Sequence, residues 1–123
     1  MFDLRPEEAR LLLNVALMAV GRNRFKSAAA ILAALERFRP DHPSVAVAKT
    51  VALMSAGNFE LAVEYAGGEG LRKFPDSAML KAFKGMALLR LNREPEARVV
   101  LEEAARATDD PAAAKMARDL LKV

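Results

Sequence analysis

The stretch Gly57-Asn58-Phe59-Glu60-Leu61-Ala62 decides the fold of this chain. Its Gly-Asn pair breaks an apolar segment, and Phe59-x-x-Ala62 opens a second segment whose apolar residues return at helical spacing. The same Phe-x-x-Ala pattern stands 34 residues earlier, from Phe25 to Ala28. Pro40 and Pro75 lie 35 residues apart, and Ala97 follows Ala62 by 35, so a third copy continues with one inserted residue. Each copy reads as an apolar helix, a break and a more charged amphipathic helix. The breaks are Val20-Gly21-Arg22-Asn23, Ser55-Ala56-Gly57-Asn58 and Leu91-Asn92-Arg93-Glu94. A self-similar unit of this length predicts a row of antiparallel helix pairs, in which each pair buries its apolar side against the next.

Helix starts and stops agree. Pro6, Pro43, Pro95 and Pro111 are placed to open helices, while Asn58, Asp76-Ser77 and Asp110 offer amino-terminal caps. The expected architecture is all-α: one domain over residues 1–123, with repeats at about 9–42, 43–77 and 78–111, and a capping helix at about 111–121. Lys115, Arg118, Asp119 and Lys122 suit the outer side of that last helix, because a terminal unit needs a polar exterior.

Composition narrows the function classes. Hydrophobic residues make up 53% of the 123 and charged ones 28%, too apolar for a disordered chain. Cysteine is absent, which excludes disulfides, thiolate metal sites and a cysteine nucleophile. The first eight residues lack the pattern of a secretory leader, so a cytoplasmic location is expected. Leu11 to Val20 is half the length that spans a bilayer and is interrupted by Asn14, so no membrane insertion is expected. The net charge of +3 is mild and the glutamates are interspersed among the basic residues, which gives no reason to expect nucleic acid. No phosphate-binding, dinucleotide-binding, zinc-protease or serine-elbow motif is present, so neither enzyme activity nor a cofactor or metal is expected. The single histidine, in Pro40-Asp41-His42-Pro43, falls in a turn between repeats and is expected to serve that turn. Arg22, Arg24, Lys26, Arg37 and Arg39 are expected to form a solvated convex face.

The small-residue positions resemble the tetratricopeptide-repeat (TPR) consensus. Gly85 with Leu88 matches its Leu-Gly-x-x-Tyr region; Ala28, Ala62 and Ala97 match the alanine of the second helix; Ala104 matches its later small residue, and Pro40 and Pro75 close their units. Departures are the missing tryptophan, Lys49 and Lys84 at leucine positions, Thr50 at the glycine position and Asp109 at the third closing proline. The resemblance implies an α-α superhelix with a concave groove lined by the first helix of each pair. Its groove positions fall on Arg10, Leu13, Leu17 and Val20, on Ser44, Val47, Val51 and Met54, and on Met79, Ala82, Met86 and Leu89. Independently of the family, Leu11 to Val20 is apolar on nearly every side, more than one layer of neighbouring helices covers. An apolar groove taking an amphipathic helix follows from both readings. Met18, Met54, Met79, Met86 and Met116 suit either a groove lining or the core. Gly67-Gly68-Glu69-Gly70 is expected to end the second helix of the middle repeat early, as a cap with a loose loop or as a gap for a partner segment, the first being favoured.

In size, repeat number and capping helix, and in phrases such as Arg39-Pro40-Asp41-His42-Pro43, the chain resembles the small TPR chaperones of bacterial type III secretion, a virulence machinery. That resemblance implies a cytoplasmic chaperone that holds the amphipathic helix of a secreted needle or filament subunit and prevents its premature polymerisation, with a small helical co-chaperone as a possible second partner. The alternatives are a TPR scaffold in a larger assembly and a translocator chaperone.

Overall fold

The computed structural model describes residues 5–22, 24–38 and 43–122 of the chain. Among them run seven helices and no strand: α1 Pro6–Gly21, α2 Phe25–Phe38, α3 Pro43–Ser55, α4 starting as Phe59–Tyr65, α5 Ala78–Arg90, α6 Glu94–Ala105 and α7 Pro111–Leu121. Asn23 and residues Arg39, Pro40, Asp41 and His42, on which the expectation of a turn falls, lie outside the described residues.

The prolines begin helices as their geometry requires. Pro6, Pro43 and Pro111 are first residues and Pro95 is the second of its helix, where the missing N–H has no partner to lose. Ser77 Oγ accepts from the Leu80 amide at 3.2 Å and Asp110 Oδ1 from the Ala113 amide at 3.1 Å, so α5 and α7 are capped as expected. Asn58 differs: it occupies the cap position of α4, but its side chain accepts no capping bond, and only its carbonyl joins the helix, from the Ala62 amide at 2.9 Å.

The repeat is most visible in how the first helix of each pair closes. The amides of Arg24, Asn58 and Arg93 reach back five residues to the carbonyls of Ala19, Leu53 and Leu88, at 2.8, 2.9 and 2.9 Å. Gly57 at φ +82° and Asn92 at φ +59° supply the left-handed residue that this closure needs. The same hydrogen bond thus recurs at the sequence period, and it sets the angle at which each hairpin folds back.

Between the helices the contact positions are small. Ala28, Ala62 and Ala97 are fully buried, as are Ala16 and Thr50. At Gly85 an added Cβ would lie 2.5 Å from Cγ and Cδ2 of Leu101, so α5 and α6 touch through the glycine. Thr50 stands where the resemblance calls for glycine and donates its hydroxyl to the Ala46 carbonyl at 2.9 Å, which keeps a buried polar group satisfied. The core is a chain of clusters along the stack: Ala16, Leu32, Leu35, Val45 and Ala48 at one end, then Ala46, Ala66 and Leu80, then a larger group around Leu88, Ala97, Leu101 and Ala117.

The Gly67–Gly70 segment does not end α4. The helix passes into a π-helical turn, Ala66–Gly70, marked by the Leu71 amide on the Ala66 carbonyl, and goes on through Leu71–Lys73. Two of the glycines make room for the next repeat. A Cβ on Gly70 would stand 2.8 Å from Leu80 Cδ2, and one on Gly67 would stand 2.9 Å from Lys84 Nζ. Both sequence-based expectations for this segment are therefore corrected: it is neither a loose loop nor a gap, because Leu80 and Lys84 of α5 fill the space over it.

Candidate functional site

The first helices of the middle and third pairs and the capping helix pack side by side, α3 against α5, and α5 against α7. The surface they share is a groove of about 650 Å³. Val47 and Val51 of α3, Met79 and Phe83 of α5, and Ala112 and Met116 of α7 supply its apolar lining. Its polar lining comes from Ser44, Ser77 and Asp110 at the starts of those helices. Two of these three groups already cap their own helices, so what the groove offers a visitor is mainly hydrocarbon.

Of the residues expected to line a groove, Ser44, Val47, Val51 and Met79 do so. Ala82 is fully buried in the core cluster, and Met54 and Leu89 are half-buried against that cluster. Met86 is half-buried and is not part of this lining. Arg10, Leu13, Leu17 and Val20 belong to α1, but their side chains lie outside the described residues.

The correction at Ala82 has a simple cause. The neighbours Val47-Ala48 of α3 correspond by the 35-residue period to Ala82-Phe83 of α5, and large and small have changed places. Ala82 is 0% exposed and sits in the core, leaving Phe83 to line the groove, whereas in α3 both Val47 and the 1% exposed Ala48 line it. A consensus position does not report which residue of such a pair is left open. Of the α7 residues, Met116 was among the methionines suited to either a groove lining or the core, whereas Ala112 was missed, since a capping helix has no groove position in the repeat. Their signal was the i, i+4 pair Ala112 and Met116, set apart from the exposed Lys115, Arg118, Asp119 and Lys122.

The charged residues that interrupt the consensus point elsewhere. Lys49 Nζ lies 3.1 Å from Glu36 Oε2 and 4.9 Å from the centre of the Tyr65 ring, so it ties α3 to α2 and α4. Burial, followed by the nearby Glu36 and Glu69 carboxylates, pushes the Tyr65 phenol up to about 12. A smaller cleft of about 300 Å³ between α2 and α3 contains this same Glu36–Lys49 pair, which already satisfies its charge. Arg22, Arg24, Lys26 and Arg37 are exposed. Among the described residues no group of three or more metal-ligating side chains comes together, and no helix is long and apolar enough to cross a membrane.

Comparison with known proteins bears on this architecture. A family model described as tetratricopeptide repeat matches residues 48–114, more than half of the chain. No curated protein matches the chain in sequence. Among solved structures, the type III secretion translocator chaperone SycD of Yersinia enterocolitica is similar in fold, with a TM-score of 0.79 at 13% identity, covering 96% of this chain and 90% of that one.

Proposed function

Because the chain belongs to the tetratricopeptide-repeat family, we propose that it is a chaperone whose groove holds the apolar side of an amphipathic helix from a secreted needle or filament subunit of a type III secretion system. The observation that carries this reading is the apolar wall formed by Val47, Val51, Met79, Phe83 and Met116 on three adjacent helices. Such a wall takes up a row of side chains from one helix and removes them from water. A subunit that polymerises through that helix is held back by mass action while the helix is bound. The work belongs in the cytoplasm, before export, and a small helical co-chaperone is compatible with it.

The fold likeness to SycD, named as a translocator chaperone, favours a second reading in which the client is a translocator. Purification of the chain from its native host, with mass spectrometry of what accompanies it, separates the two by the identity of the client. A partner that stays in the finished secretion machine would instead indicate a scaffold.

The groove itself is tested by Val51→Glu and Met79→Glu. An unpaired charge against an apolar helix costs about 2 kcal/mol or more, so binding of the co-purified client should weaken by roughly thirtyfold or more. Circular dichroism should stay unchanged, because both side chains are partly exposed in the free protein. Normal client binding by both folded variants would remove the groove from the mechanism.

A further inference from the structure

On the side of α3 turned away from the apolar groove, the second helices α2 and α4 leave a cleft of about 300 Å³ between them. Ala52, Leu53 and Ala56 of α3 are its floor, Leu32 and Ala33 its α2 wall, and Asn58 marks its α4 wall. The 35-residue period gives this floor a counterpart, Ala87 and Leu88 of α5. That counterpart is closed: both residues are 0% exposed, whereas Ala52 and Leu53 are half-buried. Glycines make the difference. Gly67 and Gly70 let α4 settle against Lys84 and Leu80, while α2 carries Ala33 and Glu36 at the matching places, 34 residues earlier.

Two bases frame the rim of the open cleft. Lys26, Ala30, Ala33 and Arg37 follow one another on α2 at steps of 4, 3 and 4 residues, all exposed, within an arc of about 60°. Neither base has a carboxylate partner among the described residues, and the Arg37 guanidinium stands 5.7 Å from the centre of the Phe38 ring. On the far wall, helical spacing sets Leu61, 51% exposed, on the same side of α4 as Asn58 and Tyr65, and Tyr65 faces Lys49 across the cleft.

We propose that this cleft is a second protein-binding site and that its occupant is an acidic amphipathic helix lying along α2. Charge decides the occupant. The row reads base, alanine, alanine, base, so the helix that complements it carries acid, large apolar, large apolar, acid at the same spacing, with its two carboxylates about 16 Å apart. The alanines let the two backbones come close, and the partner's apolar side chains enter the cleft beside Ala33. A spacing of 4, 3 and 4 reads the same in both directions, so the helix fits in either polarity. No two carboxylates of this chain lie eleven residues apart, so a second copy does not supply the helix and the partner is a different protein. The site leaves the α3–α5–α7 groove free and stands independently of the client proposed for it.

The probe is a labelled peptide, stapled as a helix, of the pattern Glu-x-x-x-Leu-x-x-Leu-x-x-x-Glu, titrated with the purified full chain at low salt and followed by fluorescence anisotropy. Saturable binding is expected. Ala33→Glu and Ala56→Glu, on opposite sides of the cleft, should each weaken it about tenfold or more with an unchanged circular dichroism spectrum, because both alanines are exposed. Lys26→Glu with Arg37→Glu should weaken it by about fivefold to tenfold, and a peptide with lysine in place of both glutamates should prefer this double variant to the wild type. Val51→Glu, in the groove, should change nothing. The proposal is overturned by a folded wild-type chain that shows no saturable binding, or by folded Ala33→Glu and Ala56→Glu variants that bind as the wild type does. Binding lost with Val51→Glu would place the peptide in the groove and overturn it as well.

Discussion

The middle and third repeats close their first helices with the same hydrogen bond, from Asn58 to Leu53 and from Arg93 to Leu88, yet their second helices differ. In the third repeat α6 is a regular helix pressed against α5, with Gly85 under Leu101 and Ala97 fully buried. In the middle repeat α4 starts in the same way around Ala62 and then widens into a π turn rich in glycine, where it leans on Leu80 and Lys84 of the following repeat. Contact within a hairpin thus rests on one small residue at a fixed place, whereas contact between hairpins tolerates a local change of helix type. A π turn carries one residue more per hydrogen-bonded ring, and the glycines let that wider turn come close to its neighbour.

The largest expected effect tests what the two repeats share. Ala62→Glu and Ala97→Glu each put a carboxylate where no exposed surface remains, at a cost comparable with the whole stability of roughly 5–15 kcal/mol expected of such a domain. Both variants should be unfolded by circular dichroism. If Ala62→Glu folds and Ala97→Glu does not, the middle repeat lacks the tight contact that the third has.

Glycine-to-alanine exchanges sharpen the contrast at smaller amplitude. Gly85→Ala drives a methyl into the stem of Leu101, which is itself buried, and should lose about 1–2 kcal/mol after the gain in helix propensity is counted. Gly70→Ala meets only the tip of Leu80 at 2.8 Å and should lose less. Gly68→Ala meets nothing within 4 Å and should gain about 0.5–1 kcal/mol. Thermal melts of the three variants should fall in that order; a loss at Gly68→Ala would show that the π turn itself depends on glycine.

The smallest effect is spectroscopic. Tyr65 is the one tyrosine of the chain and stands just before the π turn, so its ultraviolet titration reports on the middle repeat alone. Its phenol is pushed up to about 12 by burial, with Glu36 and Glu69 adding to the shift. The folded state favours the neutral phenol, so this contribution to stability is complete below the ordinary value near 10 and is lost as pH rises from there to about 12. A midpoint near 10 in the folded protein would mean that the α4 end is open to water.

Much of the fold was legible from punctuation. The recurrence of Phe-x-x-Ala, the break residues Gly57 and Asn92, and the prolines that open helices act through local backbone geometry, which a linear sequence records directly. The glycine run was misread because three glycines ordinarily stop a helix, whereas here the helix goes on and Leu80 and Lys84 of another repeat lie close over Gly70 and Gly67. The groove was legible only in part. Val47, Val51 and Met79 followed from the repeat register, whereas Phe83 replaced Ala82, and Met116 joined from a helix that no repeat position describes.

By itself, then, the sequence determined the period, the helical hairpins, their closing turns and the apolar character of the surface they share, because each is written in spacing and residue type over a few turns of chain. Tertiary structure alone decided which side of each helix is open. It put Phe83 rather than Ala82 into the groove, carried α4 on as helix across its glycines, and turned Lys49 to Glu36 and Tyr65. The physical reason is space: whether a side chain is buried depends on the volume left by residues distant in sequence, and no local pattern measures that volume.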